Sequence, residues 1–257
     1  MPGFLLPLLV AVLVLGAWEL LVRMREVPVF VLPPPSAIWA ALVADAPVLG
    51  ASLWLTLTVT LQAFALAVVS GMALAVLFSQ SRTVAAALYP YAVALQVTPV
   101  VAIAPLVVIW VGYERVDIAL LILAWLVAFF PILSNTTLGL TSVDPNLRDL
   151  FRLYGASRWQ VLWRLQLPAA LPYLLAGMKV SGGLALIGAV VAEFVAGSGT
   201  ASGLAWRIVE SGHRLNIPRM FAALLLLSLT GIAIFAVLAW VQRMLLRRWH
   251  ESEQGRS

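Results

Sequence analysis

Cysteine is absent from this chain, lysine occurs once, at Lys179, and histidine twice, at His213 and His250. No disulfide, thiolate metal site or cysteine nucleophile can form, and two histidines cannot build a histidine-rich metal cluster. Charge is scarce too: Asp, Glu, Lys and Arg supply 11% of the 257 residues, against 63% hydrophobic residues and a mean hydropathy of +1.02. Soluble domains carry about 25% charged residues, so the composition reads as an all-α integral membrane protein. The lone lysine also removes nucleotide chemistry from this chain. A phosphate-binding loop needs Gly, four residues, Gly-Lys and then Ser or Thr, whereas Lys179 lies in Met178-Lys179-Val180 within an apolar run. The His-Glu-x-x-His and Gly-x-Ser-x-Gly signatures and paired mid-membrane aspartates are missing as well, which leaves no basis for an intramembrane enzyme.

Long apolar runs are what the chain does have. Six spans are expected near residues 4–22, 53–78, 84–110, 117–140, 169–195 and 217–242, each long enough to cross roughly 30 Å of hydrocarbon. The first lacks a basic leading segment and a small-residue cleavage site, so it reads as a retained span. With the N-terminus inside, the inner segments carry nine arginines: Arg82, Arg148, Arg152, Arg158, Arg164, Arg243, Arg247, Arg248 and Arg256. The outer side receives six: Arg23, Arg25, Arg115, Arg207, Arg214 and Arg219. The positive-inside rule therefore places both termini in the cytoplasm, and the net charge of +5 is orientation signal that needs no nucleic acid. The expected organisation is a first span with an external proline-rich segment (1–52), a transmembrane core (53–245) and a cytoplasmic tail (246–257).

Proline marks the interruptions. In Val31-Leu32-Pro33-Pro34-Pro35-Ser36 the prolines hold the chain extended ahead of a helix. Ser36 is expected to cap a short interfacial helix over 37–43 that Asp45 closes, although the same residues also fit a plain connecting loop. Pro90, Pro99 and Pro105 fall in the third apolar run and Pro131 in the fourth. Each removes a backbone hydrogen bond, so 89–110 is expected to be either a broken helix beside a pathway or a kinked packing helix.

The polar insert 142–168 lies between the fourth and fifth runs. Asp144-Pro145 is an acidic cap with proline at the first helical position. Leu147, Leu150, Phe151 and Tyr154 then share one helical face, while Arg148 and Arg152 occupy another at i, i+4. Gly155 is expected to end this helix in the left-handed conformation. Ser157 is expected to cap a second helix, Trp159 to Gln166, with Pro168 opening the fifth span.

Asp149-Leu150-Phe151, three residues, Gly155, nine residues and Leu165-Gln166-Leu167-Pro168 resemble the EAA loop of the membrane subunits of binding-protein-dependent ATP-binding cassette importers. The family pattern there is Glu-Ala-Ala, three residues, Gly, nine residues, Ile-x-Leu-Pro. The flanking Ser142-Val-Asp-Pro-Asn, Gly155-Ala156-Ser-Arg-Trp-Gln and Ala192-Glu193-Phe194 are similar to the nitrate, sulfonate and taurine permease branch. The resemblance covers roughly residues 50–245. Asp149 stands where the family has Glu, and Leu150 and Phe151 replace the alanines, giving a bulkier face.

The resemblance implies a type I importer-like permease that binds no cofactor of its own and sits in the bacterial inner membrane. It implies a homodimer with the pathway on the two-fold axis, two cytoplasmic ATPase subunits that use ATP and Mg, and an external solute-binding protein. Asp149, Leu150, Phe151, Tyr154, Gly155, Ala156, Leu165, Leu167 and Pro168 would form the coupling loop that contacts the ATPase. The solute would be sulfonate-, taurine- or nitrate-like, with a pyrimidine vitamin precursor or riboflavin as the alternative. Independently of the resemblance, a rigid amphipathic helix between two spans can transmit a rotation into them.

Charge at membrane depth is costly and faces a cavity or a partner. Glu19, Lys179 and Glu193 are the instances. Lys179 and Glu193 lie fourteen residues apart, roughly 21 Å along a helix, too far to pair within it. Lys179 reads as a pathway-facing or packing cation, or as one that snorkels to the interface. Glu193 precedes the glycine-rich stretch 197–203, flexible backbone able to approach a ligand closely. Gln96, Thr98 and Asn135, with Gln62 and Ser134, would line a route or bond between helices. A gradient-driven transporter or channel is the competing class. It calls for relay residues at mid-membrane and internal repeats, and neither is found.

Overall fold

The computed structural model describes residues 5–196 and 202–246, and among them there is no β-strand. The chain order is α1 (Leu5–Met24), α2 (Pro35–Ala44), α3 (Ala46–Gln80), α4 (Arg82–Val97), α5 (Val100–Val111), a 3₁₀ turn (Tyr113–Arg115) and α6 (Val116–Thr141). Then come α7 (Pro145–Leu153), α8 (Arg158–Val161), a π turn (Leu162–Gln166), α9 (Leu167–Ala196), α10 (Leu204–His213) and α11 (Ile217–Leu246). Five helical stretches are long and apolar enough to cross a membrane, or six if the bent pair α4–α5 is one span. Most of the glycine-rich stretch expected to approach a ligand, together with Arg247, Arg248, His250 and Arg256, lies outside the described residues.

Two compact units emerge. One combines the described residues of 1–55 and 197–229, the other those of 56–196 and 230–257. In the first unit Ile38, Leu49, Leu204, Ala222 and Ala223 form a buried cluster backed by Trp18, whose ring meets Phe221 at 6.1 Å. The short helix expected here is present but starts earlier than its polar cap suggested. Pro34, extended at φ −67°, occupies the cap position and Pro35 the first helical position, so Ser36 is not the cap. Instead, the Glu19 carboxylate of α1 accepts from the Ser36 amide at 3.0 Å and the Ser36 hydroxyl at 2.8 Å, and Arg23 donates to it at 2.6 Å. Glu19 thus caps α2 from a neighbouring helix, satisfying a backbone donor that a proline cap leaves open. Replacing Glu19 with alanine is expected to loosen the first turn of α2. It should show as faster deuterium exchange confined to the start of α2.

α10, also in this unit, carries a charge network. Arg207 donates to Glu210 at 2.7 Å and to Ser52 at 3.0 Å, Arg214 meets Glu210 at 3.0 Å, and Arg219 meets Asp45 at 3.6 Å. The Arg207 hydrogen bond, with the charges of Arg207, Arg214 and Arg219, holds the Glu210 carboxyl below its ordinary value of 4.5 despite partial burial. A depressed carboxylate stabilises the fold above its unfolded pKa and loses that contribution as pH falls through the folded value. Glu210→Gln is therefore expected to lower the melting temperature at pH 7, with the gap from the parent closing below pH 4.5.

The second unit is built on α6 and α9. Over half of the apolar window of α6 is buried (56%), against 6% for α1, which presents Leu5, Leu6, Leu8 and Leu9 outward as a lipid-facing helix does. Lipid tails are as apolar as leucine, so burial of hydrocarbon does not drive helices together in a membrane and close packing must. Glycine provides it. A Cβ at Gly139 would sit 2.8 Å from the Ala170 Cα, at Gly177 2.9 Å from the Pro131 carbonyl, and at Gly188 2.8 Å from the Ala124 Cα. The Ser181 hydroxyl adds a bond to the Ala128 carbonyl at 2.6 Å. Around this pair Phe78, Ala92, Phe129, Leu133, Leu140 and Leu162 complete the core. Tyr89 on α4 lies 6.2 Å from both Phe78 and Phe130, tying α4 to α3 and α6.

The third apolar run is broken, and at one proline of three. α4 and α5 meet at 101° across Thr98-Pro99. Thr98 is extended at ψ 124°, because the following Pro99 disfavours helical geometry there. Pro90 and Pro105 sit inside their helices without breaking them. The second span is longer than expected, running unbroken from Ala46.

Candidate functional site

Each end of α7 is fixed locally. Asp144 accepts from the Asn146 amide at 2.8 Å and Pro145 takes the first helical position. At the other end Gly155 has φ +70°, the Gly155 amide bonds the Arg152 carbonyl at 2.9 Å and the Ala156 amide bonds that of Phe151 at 3.0 Å. That pair of bonds is the Schellman motif, whose left-handed residue is most often glycine. Ser157 and Gln160 then form a reciprocal capping box, at 2.7 Å and 3.3 Å.

The second loop helix is not a separate element. Residues Arg158 to Ala196 form one continuous helix with a π turn over Leu162–Gln166. In that turn the Leu167 amide reaches back to the Leu162 carbonyl. The wider turn lies just ahead of Pro168, which has no amide to donate, so the proline is absorbed into a continuous helix. The loop therefore passes rigidly into α9.

Gln166, absent from the residues expected to matter, is the joint. It is buried at 4% exposure, its Nε2 donates to the Leu140 carbonyl at the end of α6 at 3.1 Å, and its Oε1 accepts from Gln80 of α3 at 3.4 Å. Its sequence signal was a single polar residue inside Leu-Gln-Leu-Pro, which spacing alone does not distinguish from a solvated position.

The structure brings Leu150, Phe151, Tyr154, Gly155 and Ala156 together around a cleft of about 360 Å³ that Gln160 and Arg164 complete. Leu147, Leu150 and Tyr154 are exposed, and Leu153, which the helical-face reading omitted, is the most open at 85%. Asp149 is exposed and pairs with Arg152 at 3.2 Å. Leu165 and Leu167 are half-buried and Pro168 is exposed, so these three belong to the connection into α9 more than to the open face. No residue of α7 is buried.

The route candidates each have a local partner or an open side chain. Gln96 is exposed, and the Thr98 hydroxyl donates to the Ala94 carbonyl at 2.7 Å. Asn135 donates to the Pro131 carbonyl at 2.8 Å, the acceptor its own side chain reaches one turn back. Lys179 Nζ stands 4.7 Å over the Phe235 ring, a cation–π contact that stabilises a charge away from water. Glu193 is fully buried and accepts from the Thr56 hydroxyl at 2.6 Å, an interhelical tie between α9 and α3. Among the described residues no cluster of His, Asp or Glu suited to a metal occurs.

Residues 67–251 match the family described as "Binding-protein-dependent transport system inner membrane component". The chain belongs to this family. The permease is 33% identical to the riboflavin transport system permease protein RibX of Chloroflexus aurantiacus, covering 93% of this chain and 88% of that one. It is 32% identical to the formylaminopyrimidine transport permease protein ThiX of Halalkalibacterium halodurans (93% and 94%) and 30% identical to the taurine transport system permease protein TauC of Escherichia coli (93% and 88%). Among solved structures it resembles a chain of the MetNI methionine ABC transporter in inward facing conformations, with a TM-score of 0.61 and 20% identity over 76% of this chain and 95% of that one. The fold is that of a type I importer permease. Like its relatives, the permease is a multi-pass membrane protein and not itself a catalyst.

Proposed function

We propose that this permease works as a homodimer around a two-fold pathway, that α7 docks into a cytoplasmic ABC ATPase on each side, and that an external binding protein delivers the solute. The observation that carries this reading is the open face of α7: Leu147, Leu150, Leu153 and Tyr154 are exposed on a helix of nine residues held by a Schellman motif and an Asp-Pro start. Apolar side chains on a rigid, surface-held helix form a surface for a partner's groove. Gln166 links that face to α3 and α6, and the unbroken helix Arg158–Ala196 links it to α9. Movement of α7 by a closing ATPase dimer would thus drive α6 and α9 together, and their glycine-level contact makes them move as one body. ATP and Mg belong to the partner subunits, and both termini of the permease would face the cytoplasm.

The solute is proposed to be small and sulfonate-, taurine- or nitrate-like. A second reading, an aromatic heterocycle, is favoured by the identity to relatives named for riboflavin and formylaminopyrimidine. Lys179, the cation within the spans of the described core, is already held over Phe235, so selectivity is assigned to the binding protein.

The test is reconstitution in vesicles with a cognate ATPase and binding protein. Solute-loaded binding protein should raise ATP hydrolysis and drive uptake. Solute movement without an ATPase would replace the importer reading by the gradient-driven one. Running taurine, nitrate, riboflavin and formylaminopyrimidine separately decides the solute.

A further inference from the structure

A second cavity, of about 490 Å³, lies on the arginine flank of the loop, lined by Ser79, Gln80, Arg82, Arg148, Arg152 and Arg158. Gln166 also lines it, so the cavity borders the joint that couples α7 to the spans. Four guanidiniums thus surround one space. Among the described residues the one carboxylate paired with any of them is Asp149, on Arg152. Among the described residues Arg82, Arg148 and Arg158 have neither an ion pair nor a side-chain hydrogen bond. Four like charges lining one open cavity favour an anionic occupant.

The position of the cavity indicates what that occupant is. Ser79 and Gln80 end the long apolar helix α3, and Arg82 opens α4, so the cavity sits at the ends of spans, where a bilayer is expected to place its headgroups. Trp159 and Trp163, 66% and 67% exposed, follow Arg158 on the same stretch of chain. Exposed tryptophan is favoured at that interface. Guanidinium groups hold phosphate oxygens in bidentate pairs, and basic pockets at the cytoplasmic ends of spans take anionic headgroups. The open apolar face of α7, the surface offered to the ATPase, centres on Leu150 and Tyr154, and its cleft shares only Ala156 with the arginine cavity.

We infer that this cavity is a binding site for the phosphodiester headgroup of an anionic phospholipid of the inner leaflet, with Arg82, Arg148 and Arg158 as its ligands. The inference rests on the reading that this loop faces the cytoplasm. A headgroup held there touches both the end of α3 and the flank of α7, and so sets how freely α7 moves against the spans.

The test uses the full purified chain without its ATPase, so failure of the ATPase-docking reading leaves it intact. Native mass spectrometry would follow retention of phosphatidylglycerol and of phosphatidylcholine by the parent, by Arg82→Gln/Arg158→Gln, by Arg82→Lys/Arg158→Lys and by Arg243→Gln, an arginine outside the cavity. The parent should retain phosphatidylglycerol over phosphatidylcholine. The double glutamine variant should lose about thirtyfold in affinity, two charges each contributing about fivefold, while Arg243→Gln stays near the parent. The double lysine variant keeps the charge without the bidentate fork and should fall between, which also shows that loss in the glutamine variant is not misfolding. Equal retention by the parent and the double glutamine variant would overturn the inference. So would equal losses in the double glutamine variant and Arg243→Gln, or displacement of the lipid by inorganic phosphate alone, which would make free phosphate the ligand.

Discussion

Aspartate at both Leu150 and Tyr154 should leave the permease folded and membrane-inserted but unable to hold its ATPase. The two side chains are 45% and 84% exposed and no residue of α7 is buried, so the chain loses little packing of its own when they change. Buried in a partner's groove, by contrast, each apolar anchor contributes about 2 kcal/mol, and a desolvated carboxylate adds a further penalty. The two together should weaken association by a hundredfold or more. Co-purification should lose the ATPase, and hydrolysis should no longer respond to solute-loaded binding protein. If the variant still co-purifies and still responds, α7 is not the docking element and the importer's coupling surface lies elsewhere on the chain.

The second large effect comes from a matched pair of alanine substitutions on α9. Gly188→Ala places a methyl group 2.8 Å from the Ala124 Cα and 3.2 Å from its carbonyl oxygen, both backbone atoms that cannot swing aside. Gly183→Ala, five residues earlier on the same helix, meets no atom within 4 Å. Alanine favours a helix over glycine by about 1 kcal/mol at either position in a soluble helix, so the difference isolates packing. Gly188→Ala should be destabilising by about 1–3 kcal/mol, while Gly183→Ala should be neutral or stabilising. Thermal unfolding of the two variants in the same detergent measures this directly. Equal melting temperatures would mean that α6 and α9 are not held by backbone contact at Gly188.

The sequence was sufficient wherever the cause is local. Apolar length and scarce charge decided that the chain spans a membrane, because each span must exclude charge whatever it packs against. Asp144-Pro145 and Gly155 set both ends of α7, since a side-chain cap, a fixed φ and a left-handed glycine act within a few residues of themselves. Pro99 carried the expected break, yet Pro90 and Pro105 carry the same signal in sequence and only the three-dimensional packing separates them. Next to Pro90, which stays within α4, Tyr89 packs against Phe78 and Phe130.

Tertiary structure decided the rest, because the interactions concerned join residues far apart in the chain. Glu19 reads as a costly intramembrane charge until Ser36, seventeen residues on, is seen to need its carboxylate as a cap. Gln166 becomes the joint of the loop only through the Leu140 carbonyl and Gln80, and Pro168 continues a helix only because a π turn precedes it. Glu193 is a tie to Thr56, 137 residues away. The glycines of α6 and α9 are unremarkable in sequence, since nothing local distinguishes a glycine that admits a neighbouring backbone from one that faces open space. A sequence records what a residue can do within a turn or a span; which distant group it meets is fixed by how the spans pack.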